Sequence, residues 1–352
     1  MQQNRAHAKH HTTMRASGLR TTGTALLAGM VAACGGNHGP TSPTSTGDSA
    51  SAANLPAGTL SLKVSPIDQA AIRWITPLGN LNPPGHTIPT DHIYFYFADP
   101  DARETAEDRR TDFFAPGDGV VATFLGAVGA ESKVFIRQTS TFTYYLDHLI
   151  PSVPLERGTV VTAGQRLGTS GSAFGVDLGV INDSLTLGFL VPGRYLGDTL
   201  HADAPLKYFT EPLRSQLYAR VQRMGGDLDG RIDYDIAGRL SGNWFLGSSG
   251  VVAFAYDTYD PSSVRIATNV GAITGVFGIA PGDPLPREVS MASGRVLYTL
   301  SRAITGPPKP GTGGTIAYML VEMTDATHLR MQAFPAGAVP ADFTVAAATY
   351  SR

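Results

Sequence analysis

A mostly β fold in two parts, a sheet domain followed by an antiparallel barrel or sandwich with one connecting helix between them, is what this sequence predicts. Three observations carry that expectation. Forty glycines and 24 prolines among 352 residues favour strands and turns over helical bundles. Hydrophobic residues make up 42% of the chain, enough for real cores. Short apolar runs of period two recur between Gly, Pro and Asn clusters. Charged residues are only 16%, against roughly 25% in an average soluble domain. A net charge of -2 gives no basic face for nucleic acid or for anionic lipid, so no nucleic-acid partner is expected.

Arg5, Lys9, Arg15 and Arg20 form a positive stretch with no acidic residue. The apolar run from Thr24 to Ala33 follows. At about ten residues it is too short for a transmembrane helix and fits a secretory leader. Val31-Ala32-Ala33-Cys34 resembles the lipobox of bacterial lipoproteins. That resemblance implies removal of residues 1–33 and acylation of Cys34, which would anchor an exported protein to a membrane. Gly35 carries no inner-membrane retention acid, which favours the outer membrane, facing the periplasm. Cys34 is the single cysteine, so neither an internal disulfide nor a thiolate metal site can form. Residues 34–58 hold almost no large apolar side chain and read as a disordered tether.

Strand patterns begin with Leu60-Ser61-Leu62-Lys63-Val64 and Ile72-Arg73-Trp74-Ile75. A Pro/Gly/Asn loop from Pro77 to Pro89 then delivers His86. Asp91 and His92 follow at once and open the aromatic strand Ile93-Tyr94-Phe95-Tyr96-Phe97. Two imidazoles and a carboxylate within seven residues are ligand types that zinc accepts. They serve equally as loop hydrogen-bonding groups. Asp99 to Asp112 is a charged excursion, read as an exposed loop or short helix. Further strands are expected at Val134–Arg137 and at Phe142–Leu146, the latter ending in Asp147-His148-Leu149.

The segments that follow resemble a known family. Ala115-Pro116-Gly117-Asp118-Gly119-Val120, with Val121 after it, matches an A-x-x-D-G-x-V strand, and Leu146-Asp147-His148-Leu149 a Y-x-H-L segment with Leu146 in the Tyr place. Arg157 to Gly168 matches a G-x-x-V-x-x-G-Q-x-I-G hairpin. In this order, after a loop His and a nearby Asp, these are similar to lysostaphin-type (LytM-type) zinc endopeptidases, which cut peptide cross-links of the bacterial wall. The resemblance covers roughly residues 60–205 and implies a lysostaphin-like β domain over 59–205, a hybrid sandwich, with peptidoglycan as a partner. The family closes on an H-L-H-F-E strand that supplies a metal ligand and a second imidazole. Here that place holds Val176-Asp177-Leu178-Gly179-Val180, without histidine. The spacing from His86 to Asp91 is also one residue longer than the family's. The candidate ligands that remain are His86, Asp91 or His92, and Asp177, with His148 as a candidate catalytic base. A zinc ion would be the cofactor.

Leu206, Phe209, Leu213, Leu217 and Val221 recur at helical spacing and predict an amphipathic connector over 206–225. His201 and Asp203 before it are read as loop hydrogen-bonding groups. Gly226-Asp227-Leu228-Asp229-Gly230 lacks the ligand pattern of a calcium loop and reads as an acidic turn. Over 226–352 about eight strand-like runs, the last Phe343–Ser351, suit a closed barrel or sandwich. Gly242-Asn243-Trp244 with Arg352 faintly resembles lipocalin-like barrels, where a Gly-x-Trp packs under a late Arg. His328 stands alone on its strand, so no catalytic dyad is expected there.

Three functions are compatible with these residues. One is a binding or regulatory lipoprotein at the cell wall, built on a degenerate peptidase-like domain. The second is an active metal-dependent endopeptidase or amidohydrolase on peptidoglycan peptides. The third is a small-ligand or lipid carrier working through the barrel.

Overall fold

The alternating runs pair into two β systems, which a computed structural model describes over residues 55–98, 110–171, 174–248, 250–270, 273–303 and 314–352. The leader, Cys34, most of the tether and residues 99–109 of the charged excursion lie outside the described residues.

The first system is an antiparallel sheet. Its strands are β1 (Trp74–Thr76), β2 (His92–Tyr96), β3 (Asp112–Phe114), β4 (Gly119–Leu125), β5 (Ser132–Arg137) and β6 (Phe142–Pro151). β7 (Val160–Val161), β8 (Arg166–Ser170), β9 (Gly175–Asn182) and β10 (Ala202–Asp203) complete it. The main path runs β1-β2-β9-β6-β5-β4-β7, with β8 bridging β3 and β6 and β10 on β9. Period two sends Ile93, Phe95, Val176, Leu178, Tyr144 and Leu146 into one apolar core. The same alternation turns His92, Tyr94, Asp177, Gly179 and Tyr145 to the opposite face.

The second system is a closed antiparallel barrel of eight strands. In order they are β11 (Gly242–Leu246), β12 (Gly250–Tyr256), β13 (Val264–Thr268) and β14 (Gly275–Ile279). Then come β15 (Arg295–Arg302), β16 (Thr315–Met323), β17 (His328–Pro335) and β18 (Ala348–Ser351). β18 closes on β11 through Phe245 and Ser351. Trp244, Phe254, Tyr298, Met319 and Leu329 are buried together in the interior, which side chains fill as in other small barrels. Arg352 lies 4.3 Å over the Trp244 ring and pairs with Asp235 at 3.1 Å. It also donates to the carbonyls of Ser241 and Arg239. A guanidinium this deep would be costly without that carboxylate. The Trp244–Arg352 contact is the one that the lipocalin-like pattern implied.

Three sequence expectations need correction. The connector over 206–225 is not one helix. A 3-10 turn at Pro205–Tyr208 is followed by the short α-helix Leu213–Tyr218. Between them Leu62 takes the backbone, donating to the Tyr208 carbonyl and accepting from Thr210. Leu206, Phe209, Leu213 and Leu217 are nonetheless all buried, so the apolar spacing reports burial and not continuous helix. Leu60–Val64 makes only an isolated bridge at Leu62. Phe343–Ser351 shortens to β18, because Asp342 and Thr344 hold the backbone in turns.

Candidate functional site

Strand register assembles the residues singled out in the sequence. Across β2, β9 and β6, Tyr94 faces Asp177 and Asp177 faces Asp147, while His92 faces Gly179 and Gly179 faces Tyr145. His86 arrives from the loop of residues 78–90, where Asn82 and His86 exchange backbone hydrogen bonds of 2.8 and 2.9 Å. Its ring stands edge-on to His92, with centroids 5.3 Å apart. His86, Asp91, His92, His148 and Asp177 therefore share one site. Both Asp91 and His92 point inward.

His148 reaches the site by an irregular route. It sits where the β5–β6 ladder shifts register, and among the described non-glycine residues it alone has positive φ, at 62°. Such a conformation costs about 1–3 kcal/mol and needs support. Its N–H donates to Asp147 Oδ1 at 2.8 Å and its carbonyl accepts from Gly171 at 2.6 Å. Its ring lies between Glu131, which bonds Nδ1, and Asp177 Oδ2, 3.5 Å from Nε2.

The result is an alternating series: Glu131, His148, Asp177, His92, Asp91. His92 Nδ1 is 2.9 Å from Asp91 Oδ1, and His92 Nε2 is 3.3 Å from Asp177 Oδ2 and 3.1 Å from the Tyr94 hydroxyl. Asp91 Oδ1 also accepts from Tyr145 at 2.7 Å. Asp91 Oδ2 accepts from Thr199 on the short helix α1 (Gly197–Leu200). Burial pulls the His92 imidazolium down, but Asp177 and Asp91 outweigh it and raise its pKa. Burial works to raise Asp91, yet the hydrogen bond and charge of His92 hold it below the carboxylate range. His86 is pushed down to about 3, first by burial and then by the charge of His92. Glu131 is lowered by its bond to His148. At neutral pH His86 is thus neutral, beside an Asp91–His92 pair in which each partner favours the charged form of the other.

Sequence reasoning missed Tyr145, Thr199, Tyr94 and Glu131. One signal was available for Tyr145. A glycine inside a buried strand marks a close approach, and a Cβ placed on Gly179 would lie 2.0 Å from Tyr145 Cζ. The tyrosine ring fills the space into which a side chain at 179 would project.

The site's fit to zinc can be weighed on these contacts. One favours a cation: Asp177 Oδ1 is buried with no hydrogen-bond partner. Three oppose it. The Tyr145 ring holds the space beside Gly179. Asp91 already accepts on both oxygens, from Tyr145 and His92 on Oδ1 and from Thr199 on Oδ2, which leaves fewer lone pairs for a metal. The His92 ring already places Nδ1 against Asp91 and Nε2 against Asp177 and the Tyr94 hydroxyl. Among the described residues no group of three or more His, Cys, Asp or Glu side chains is arranged to hold a metal ion. These side chains do not fit the zinc ion that the family resemblance implied.

Elsewhere, His201 bonds the Leu185 carbonyl, Asp203 is held by Lys207, Tyr208 and Asn182, and Asp229 accepts from Tyr218. His328 pairs with Asp325 at an exposed hairpin tip.

Solved structures similar to the chain include Csd3 of Helicobacter pylori, at 16% identity over 43% of this chain and 35% of that one, with a TM-score of 0.28. A zinc-containing peptidase from Vibrio cholerae is similar at 19% identity over 35% of this chain and 37% of that one, with a TM-score of 0.26. Lysostaphin from Staphylococcus simulans is similar at 11% identity over 83% of this chain and all (100%) of that one, with a TM-score of 0.28. These are similarities of fold alone, and the chain spans about a third (35%) of the length of Csd3. No family model and no curated protein matches the chain.

Proposed function

We propose that this chain is an exported, membrane-anchored envelope lipoprotein whose sheet domain binds cell-wall peptides without cutting them. Cys34 is the anchor, residues 34–58 supply reach, and the sheet domain is a degenerate relative of lysostaphin-type endopeptidases. The observation that carries the non-hydrolytic reading is the Tyr145 ring packed against Gly179 with its hydroxyl on Asp91. It fills the room beside Gly179 and engages one oxygen of Asp91, a residue that a metal would use. The ordered motifs from Ala115 to Gly168 support the cell-wall ligand.

A second reading, hydrolysis, is favoured by one feature. His148 keeps a strained backbone that aims its ring between two carboxylates, and strain of that kind collects at working sites. Incubating the purified protein with isolated sacculi separates the two. The binding reading expects the protein to sediment with sacculi and to release no soluble peptide. Release of peptide that is lost in His148→Ala would establish the second reading, and failure to sediment would remove the first.

A further inference from the structure

The loop that carries His86 touches both the sheet and the barrel. Period two sends Val252, Phe254, Ile266 and Phe277 into the barrel interior and turns Ala253, Ala255, Ala267 and Val276 outward. An outward face should be wet. Yet Ala253 and Ala267 are fully buried (0% exposed) and Ala255 is at 1%. Their cover includes Leu81, 4% exposed, which packs with them and with Tyr234. The alanines leave a flat seat that a larger side chain would fill.

The rest of the loop is tied on both sides. Across its base, Gly79 N–H donates to the Thr90 carbonyl at 2.9 Å and Thr90 N–H to the Asn80 carbonyl at 3.0 Å, and toward the sheet the Thr90 hydroxyl donates to the His92 carbonyl at 3.4 Å. Toward the barrel, Thr258 Oγ1 donates to the Leu78 carbonyl at 3.0 Å, and the Tyr259 hydroxyl lies 2.8 Å from Thr76 Oγ1. Gly79 has φ of +96°, and a Cβ there would meet the Arg231 carbonyl oxygen at 2.3 Å.

We infer that Leu81, seated on the alanine face of the barrel, is a positioning residue for His86, and that the barrel is thereby a structural arm of the sheet's site. The inference rests on packing and holds whatever the site binds. It gives the second β system a role in place of an independent carrier module.

Nuclear magnetic resonance of the full chain tests it through two readouts, imidazole titration and amide exchange. In the wild type the buried His86 ring titrates well below its ordinary 6.5, at about 3. In Leu81→Ala the His86 ring titrates closer to its ordinary value. Its amide and that of Asn82 exchange at least about tenfold faster, while amides of the barrel interior such as Trp244 keep their rates. Thr258→Val, a milder change, moves the same signals in the same direction if Leu81→Ala does not fold. A His86 titration and loop exchange unchanged in the variant that folds would overturn the inference. So would loosening spread evenly through the barrel, which would make Leu81 a general core residue.

Discussion

Tyr145 and Gly179 form a pair in which neither residue can be understood alone. The tyrosine ring needs the absence of a side chain at 179, and its buried hydroxyl needs Asp91 as acceptor. Overpacking by one methyl in a rigid core costs about 1–3 kcal/mol. Gly179→Ala is therefore expected to destabilise by about that much in the wild type. In a Tyr145→Ala background the added methyl finds open space, and the penalty should largely disappear. A double-mutant cycle in urea reads the coupling directly, and additive effects would show that the ring does not occupy that space. Asp91 and His92 illustrate a related point. Both lay in the sequence as alternative ligands, but the fold sets them against each other, His92 Nδ1 2.9 Å from Asp91 Oδ1.

At the scale of elements, the loop of residues 78–90 has a measurable consequence for stability against pH. His86 is held neutral by burial and by His92, with a folded pKa of about 3 against an ordinary 6.5. Below about pH 6.5 the unfolded chain takes up a proton that the folded chain refuses. His86 therefore lowers stability as pH falls from 6.5 towards 3. His92, raised by its two carboxylates, contributes stability that is complete below pH 6.5 and is lost as pH rises through its folded value, so the two act in different windows. Replacing His86 with Gln should flatten the acid limb of urea-denaturation stability between about pH 4 and 6. An unchanged slope would mean that the ring is solvated. Strands were the most legible elements. Thr315–Met323 and Val264–Thr268 lie where the alternating pattern puts them, because one face of each is buried in the barrel. The connector misled because burial at three- and four-residue spacing mimics a helix, although Pro212 already marked a break inside it. The site residues His86, His148 and Asp177 were legible as chemistry. Their hydrogen-bonding neighbours were not, since Tyr145, Glu131 and Thr199 become neighbours only through strand register and the placement of α1.

For the whole molecule, the two β systems meet through small contacts of large consequence. Leu81 on the alanine face, Thr76 against Tyr259, and Asn243 donating to Tyr195 join the sheet domain to the barrel. Arg194 adds a bond to Ser351. The site of the first system is thus built partly on the second. The proposed binding role requires that Tyr145 and the Asp91–His92 pair, and no metal ion, occupy that site. Metal analysis of the purified, zinc-equilibrated and desalted chain tests this most directly. The account predicts less than about a tenth of a zinc ion per chain. About one ion per chain, removed by a chelator and absent from His86→Ala, would contradict it.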